Sequence, residues 1–445
     1  MRPVTLPPPL EGLAHTLTAC LDRRHADLLQ PLLFGLLLAR GRRTATAWFR
    51  AGCIGEEFRR AYTLLGTLGR HWVDPFAALL LNRLRDSIEP GAHWLFAIDD
   101  TPTERYGPHV EGAGRHHNPT PGPAGQHFLY GHIWVTLAWV VRHPHWHVLA
   151  LPVLADLYIR AADVDKIAAD RRPAFVTKLA QAARQIAWLA EQLRDSAKPI
   201  WTVVDGAYTK RSVLQAAQEQ GVIVVGRLPK NAALRDVPVA RPRGRRGPGR
   251  PRKYGRHRLS LAKRAGHRQG WQPVECFQYQ KLVTKTCKSF LATWKPAGGM
   301  IRVVLVKEDD GWRAYCCTDA QATVRDILEA AAGRTSLEDT FKDVKAIEGA
   351  GEQQLRYWRA NVGAFAWCLW GYTAVEWWAW DKPFAELCDR SASPWDDQPR
   401  RPSHADRRKA LQRQCLEEEF WRRWGEAPCP AEIQELLATV LELVG

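Results

Sequence analysis

The chain has 445 residues, 46% of them hydrophobic, and 63 Lys+Arg against 47 Asp+Glu give a net charge of +16. That length accommodates two or three domains, and the hydrophobic share supports a sizeable core, which excludes a disordered chain. The basic balance points to a polyanionic partner, and ten cysteines without a CxxC pair or zinc-type spacing exclude a zinc module.

Residues 1–90 place apolar residues at helical spacing, so a helical domain is expected there. Its basic turn, ARGRRTATAWFRAG, suits a helix-turn-helix reader of DNA and equally a plain bundle. The start, MRPVTLPPPLEG, lacks the apolar region of a signal peptide. The longest uncharged apolar run, Val362–Val375, is too short for a bilayer and is followed by Glu376. The expectation is a cytoplasmic, nucleoid-associated protein with reduced thiols and no membrane contact.

From 91 onward the pattern changes. Strands are expected at 93–101, 127–141 and 145–154, the last two joined by the turn RHPH. A long amphipathic helix follows over 162–195. PIWTVVDGAY then reads as a strand, TKRSVLQAAQEQG as a helix closed by Gly221, and VIVVGRLP as a strand. This order makes residues 91–228 the first part of an α/β core, a mixed sheet flanked by helices. Residues 229–319 read as a basic loop and a β-rich insertion whose last strands return to the core. Residues 320–380 are helical and complete the core. Within them, the Trp-rich stretch 355–380 suits core and interface packing. Residues 381–445 form a helical tail after a polar loop at 391–408.

The segment Arg241–Arg258 holds nine basic residues and no acid. Arg245, Arg246, Arg250, Arg252 and Lys253 are its DNA-contact candidates. Arginines on a Gly–Pro frame suit a minor-groove hook or a loop that binds backbone phosphate without preference.

Three acids stand out by position. Asp100 ends the first strand, Asp205 ends the fourth, and Glu338 lies on a helix. At about 100° per residue, Arg334, Glu338, Phe341 and Lys345 share one helix face. Two strand-tip aspartates and a helical glutamate that converge would hold hard cations, Mg²⁺ or Mn²⁺. Two such ions support in-line phosphoryl displacement by water. Bland readings compete. Asp205 could cap the helix before TKRSVLQ, with Thr209 as the rival cap, and Glu338 could pair with Arg334 at i,i+4. Asp99 competes with Asp100, because a strand's side chains alternate. His143, His145 and His147 share a hairpin face but have no further metal ligand nearby in sequence.

Three passages then carry a resemblance. They are AIDDT with Asp100 before Thr101, WTVVDGAY with Asp205, and GRTSLEDTFKDVK with Arg334, Glu338 and Lys345. Over about residues 90–380 the chain resembles DDE transposases with a ribonuclease-H-like fold. It is most similar to the insertion-sequence group with the Tyr-x2-Arg-x3-Glu-x6-Lys signature. The resemblance implies that Asp100, Asp205 and Glu338 are catalytic and bind two Mg²⁺ ions, with Arg334 and Lys345 on DNA phosphates. It implies cut-and-paste transposition on double-stranded DNA, with terminal inverted repeats and target DNA as substrates and a homodimer pairing the ends. The signature's tyrosine falls on Ala331, which removes one implied phosphate contact. Two alternatives follow: an inactive or domesticated transposase that binds DNA, and a metal nuclease of the same fold that does not join strands.

Overall fold

The computed structural model describes residues 4–117, 125–238, 252–279, 281–391, 393 and 395–444. The N-terminal segment forms helices α1 (Pro8–Thr18), α2 (Arg23–Leu38), α3 (Ala45–Ala51), α4 (Phe58–Thr67) and α5 (Val73–Ser87). A π-helical turn, Leu68–Trp72, joins the last two. Asp22 caps α2 and Thr44 caps α3, each accepting a first-turn N–H.

The sheet opens with β1 (Trp94–Glu104), β2 (Gly114–His117), β3 (Phe128–His143) and β4 (His147–Tyr158). After the single turn α6 (Ala161–Val164) come α7 (Lys178–Gln192), β5 (Ile200–Val204), α8 (Arg211–Glu219) and β6 (Ile223–Arg227). The β-rich segment supplies β7 (Leu234–Arg235), β8 (Arg258–Leu259), the short α9 (Leu261–Gly266), β9 (Gln272–Gln278), β10 (Lys281–Trp294), β11 (Gly299–Glu308) and β12 (Gly311–Cys317). The chain ends in α10 (Val324–Gly333), α11 (Thr335–Ala346), α12 (Trp358–Trp378), the short α13 (Phe384–Leu387), α14 (His404–Trp424) and α15 (Ala431–Val444).

All of these strands form one open mixed sheet, ordered β2-β3-β1-β5-β6-β12-β11-β10-β7-β8, with β4 on β3 and β9 on β10. Among the described residues only the β1–β5 and β5–β6 pairs are parallel. Because β12 pairs with β6, the β-rich segment continues the core sheet. The result is an α/β molecule with helices on both faces of the sheet.

Four elements differ from expectation. Of the helix expected over 162–195, only the single turn α6 at its start and α7 form. Pro173 has no N–H to give a helix interior, and Thr177 caps a fresh start by accepting the Ala180 N–H at 3.1 Å. The four-residue β2 was not expected, because GRHH carries little strand propensity. The helical run after 323 divides in two at Gly333, a poor helix former pressed against Val140 and Leu95 of the sheet. Asp100 does not end its strand, because β1 stays paired with β3 as far as Glu104.

The Trp-rich helix α12 is apolar all round and buried along nearly its whole length, as a central core helix should be. It lies against α4, the π turn and β4. Its backbone meets that of α4 so closely that a Cβ on Gly363 would lie 2.1 Å from the Leu65 carbonyl oxygen. Trp134 of β3 stacks on Phe365 with ring centroids 4.0 Å apart. The N-terminal helices, α12 and the sheet thus share one apolar core. Among the described residues no helix is long and apolar enough to cross a membrane. All ten cysteines are free.

Candidate active site

β5 stops at Val204, but its parallel neighbour β1 runs on to Glu104, so β1 beyond Ile98 is paired only with β3. The unpaired side tolerates Pro102 within the strand. It also opens a groove of about 1050 Å³, whose lining includes Asp100, Asp205, Tyr208, Lys178 and Lys345. Ligand sites of open α/β sheets lie at the carboxyl ends of parallel strands, which is where this step falls.

Ile98 is level with Val204, so Asp99 and Asp205 follow at matching height. Alternation sends the two β1 aspartates to opposite sides. Asp99 faces α11: its Oδ2 pairs with Arg334 Nη1, and its Oδ1 accepts the Asp100 N–H at 2.9 Å. Burial pushes the Asp99 carboxyl up to about 6, against the pull of the Arg334 guanidinium. Asp100 faces the groove and pairs through Oδ2 with Lys178 Nζ, on the first turn of α7.

Asp205 accepts the backbone N–H groups of Ala207 at 2.8 Å and Tyr208 at 3.0 Å, both on Oδ1. It therefore shapes a turn, as the bland reading expected, but it does not cap α8. Nor does Thr209: Lys210 holds the cap position and makes no side-chain cap bond. Among the described residues Asp205 Oδ2 takes no hydrogen bond, so one oxygen is free for a ligand. Beside it, Tyr208 is buried. That burial, with the charges of Asp100, Asp99 and Asp205, drives its phenol well above the ordinary range.

On α11 the Arg334–Glu338 pair forms at 2.9 Å, and the glutamate remains half exposed, at 51%. Arg334 thus serves Asp99 and Glu338 together. Burial works against its charge, but Asp99, Glu338 and Asp205 outweigh that and raise its pKa. Lys345 Nζ donates to Thr101 Oγ1 at 3.2 Å, and burial lowers its pKa. Phe341, on the same stripe, faces inward and belongs to the core under this side of the sheet.

A second cavity, of about 560 Å³, adjoins Asp205 and Arg334 and includes Lys230, Trp312, Tyr315 and Ala331 in its lining. The position of the missing signature tyrosine therefore borders the site.

Carboxylate oxygens alone suit a hard divalent cation, so the donor chemistry fits one. Among the described residues no three Asp, Glu, His or Cys side chains stand as a formed metal-binding group. Lys178 and Arg334 supply the countercharge instead.

The remaining expected contacts lie elsewhere. Arg245, Arg246 and Arg250 are outside the described residues. Arg252 and Lys253 are exposed and precede β8. β8 is six strand positions from β5, on the order of 29 Å at about 4.8 Å per strand. His143 is occupied structurally: its Nδ1 accepts the N–H groups of His145 and Trp146, and its Nε2 donates to the Trp380 carbonyl at 2.8 Å.

Lys178 and Tyr208 were missed from sequence. For Lys178 a signal existed: a lysine right after the capping Thr177 opposes the positive end of the helix dipole, which needs a reason. Tyr208 offered none beyond its closeness to Asp205 in the chain.

The chain matches the family described as "DDE superfamily endonuclease" over residues 16–286. That span begins in α1, includes Asp100 and Asp205, and stops short of Glu338. No curated protein matches the chain. The match covers more than half of the sequence, and the chain belongs to the DDE superfamily endonucleases.

Proposed function

We propose that the protein is a DNA transposase of an insertion sequence, built on a ribonuclease-H-like core, that cuts DNA at the element's ends and joins them to target DNA. The observation that carries this reading is the shared groove: Asp100 and Asp205 face it together with Lys178 and Lys345. Two carboxylates beside two cations suit a phosphodiester under attack.

In this reading Asp100, Asp205 and Glu338, the last now paired with Arg334, are the residues that would hold a divalent metal, Mg²⁺ or Mn²⁺. The bound metal would supply Lewis-acid activation of water and of the leaving oxygen. Lys345 holds a non-bridging phosphate oxygen from the α11 side, and Arg334, once free of Glu338, holds another. Asp99 keeps Arg334 in place. Water attacks phosphorus and the P–O3′ bond breaks, which leaves a 3′-OH on the element and a 5′-phosphate on the flank. That 3′-OH attacks a target phosphodiester in the same in-line manner: its oxygen bonds to the target phosphorus, the target's P–O3′ bond breaks, and the attacking hydroxyl's proton passes through solvent to the leaving 3′ oxygen. The substrates would be terminal inverted repeats and target DNA, bound by a homodimer.

The test is strand transfer with a pre-cut end. Duplex carrying the element's terminal sequence and a recessed 3′-OH is incubated with supercoiled plasmid and Mg²⁺. Joined product is expected. Cleavage of uncut ends without joining would reduce the protein to a metal nuclease.

Two observations favour a second reading, the inactive DNA binder: Glu338 is held by Arg334, and the signature tyrosine is replaced by Ala331. In that case neither cleavage nor joining would be seen, although DNA binding would persist.

A further inference from the structure

The groove has a cation that belongs neither to the sheet nor to the helices after it. Arg42, in the turn between α2 and α3, lines the groove that contains Asp100 and Asp205. Its side chain is exposed and makes no ion pair among the described residues. Its charge reaches the exposed phenol of Tyr106, just beyond β1, whose hydroxyl donates to Glu104 Oε2 at 3.2 Å. Arg42 therefore stands at the outer end of the groove, past the strand that carries Asp100. Glu104 is four residues beyond Asp100, roughly 13 Å at about 3.3 Å per residue. That reach equals about four base steps of duplex rise.

The turn is built rather than loose. Gly41 takes the left-handed conformation, with φ +63°, and Thr44 N–H closes the turn onto the Arg42 carbonyl at 3.0 Å. Arg43 N–H donates to Glu352 Oε2 at 2.6 Å, and Gln353 Nε2 donates to the Arg43 carbonyl at 3.1 Å. Glu352 and Gln353 belong to the link that leaves α11 after Lys345. The same link is tied to the end of β1, because Arg105 donates to the Gly351 carbonyl. The N-terminal turn, the end of β1 and the exit of α11 are thus fastened at one point. An exposed arginine held there has a fixed position relative to the aspartates.

We propose that Arg42 binds a DNA backbone phosphate a few nucleotides from the scissile one, so that the N-terminal helices set the register of DNA in the groove. This rests on the reading of the protein as a DNA endonuclease. It gives Arg42 a backbone-positioning role, in which arginine grips phosphate without reading sequence.

The test uses full-length protein, element-end duplex and three variants: Arg42→Ala, Arg42→Lys and Arg40→Ala. Arg40 has the same charge and is exposed on the neighbouring stretch, but it is not part of the groove lining. Binding is followed by fluorescence anisotropy across a salt series, and cleavage as separate kcat and KM. For Arg42→Ala the salt slope is expected to fall by about one phosphate contact, uniformly across DNA sequences. KM should rise several-fold with kcat nearly unchanged. Arg42→Lys should restore most of the slope, and Arg40→Ala should match wild type. Equal losses in Arg40→Ala and Arg42→Ala would overturn the proposal, since bulk charge alone would then be at work, and so would an unchanged Arg42→Ala. A wild-type protein that neither binds nor cuts DNA would instead sink the endonuclease reading itself.

Discussion

Lys178 and Arg334 divide the countercharge of the site between them, one on the groove side of β1 and one on the α11 side. The division assigns different work to adjacent aspartates. Asp100 faces the open groove, and in the proposed function it is the aspartate that would meet metal and phosphodiester. Asp99 is largely buried, at 13% exposure, and acts through Arg334 on Glu338. Single-turnover cleavage should separate the two. Asp100→Asn is expected to abolish it, whereas Asp99→Asn should slow it by about 10- to 100-fold, the usual cost of losing an outer partner of a site. Equal loss in both would contradict this assignment. Alternation says only that the two diverge, and the preference for Asp100 rests on the Asp100–Thr101 match; the partners that distinguish the two in the fold lie 78 and 235 residues away.

Among the elements, α14 is tied to α12 and to the link that follows α11 through buried charge. Its first residue, His404, approaches Glu376 of α12 at 2.6 Å and Glu348, at the exit of α11, at 2.9 Å. Arg407 and Arg408 add to the same two glutamates. Burial favours a neutral His404, but the two carboxylates outweigh it and raise its pKa. Both glutamates titrate below their usual range despite burial, held down by Arg408, Arg407 and His404. The folded state thus keeps the histidine proton longer than the unfolded chain does. Its stabilisation is complete below about pH 6.5 and is lost as pH rises through the higher folded value. The glutamates stabilise above about pH 4.5 and lose that effect on acidification. His404→Ala should cost ~3 kcal/mol in urea unfolding near pH 6, since it uncouples a buried charge. The gap should shrink at pH 9, where the wild type loses the same clamp; a gap of constant size would contradict the charged pairing. At this scale the sequence was legible where the pattern is plain, as in the unbroken apolar run of α12, the β10–β12 strands and the stripe on α11. It misled where a local breaker outweighs periodicity, as Pro173 does before α7. It was silent where pairing is purely tertiary: nothing in PSHADRR points to Glu348 or Glu376.

At the scale of the whole molecule, the N-terminal helices, α12 and the sheet share one apolar core. The basic turn 40–43 was read as part of a possible helix-turn-helix; yet Trp48 and Phe49 of α3 are buried, and what faces the groove is Arg42. The net charge of +16 foretold a polyanion but not its path. One feature of the sheet gathers acids and cations at a step: β5 ends early and β1 continues. The central claim is that Asp205 stands at that step to hold metal for DNA cleavage. It is tested most directly by Mg²⁺-dependent cleavage of element-end DNA with wild type, Asp205→Ala and Glu338→Ala side by side. The account predicts that cleavage is lost in both variants while DNA binding persists. Equal cleavage by all three would contradict it and leave Asp205 as the residue that shapes the turn before α8.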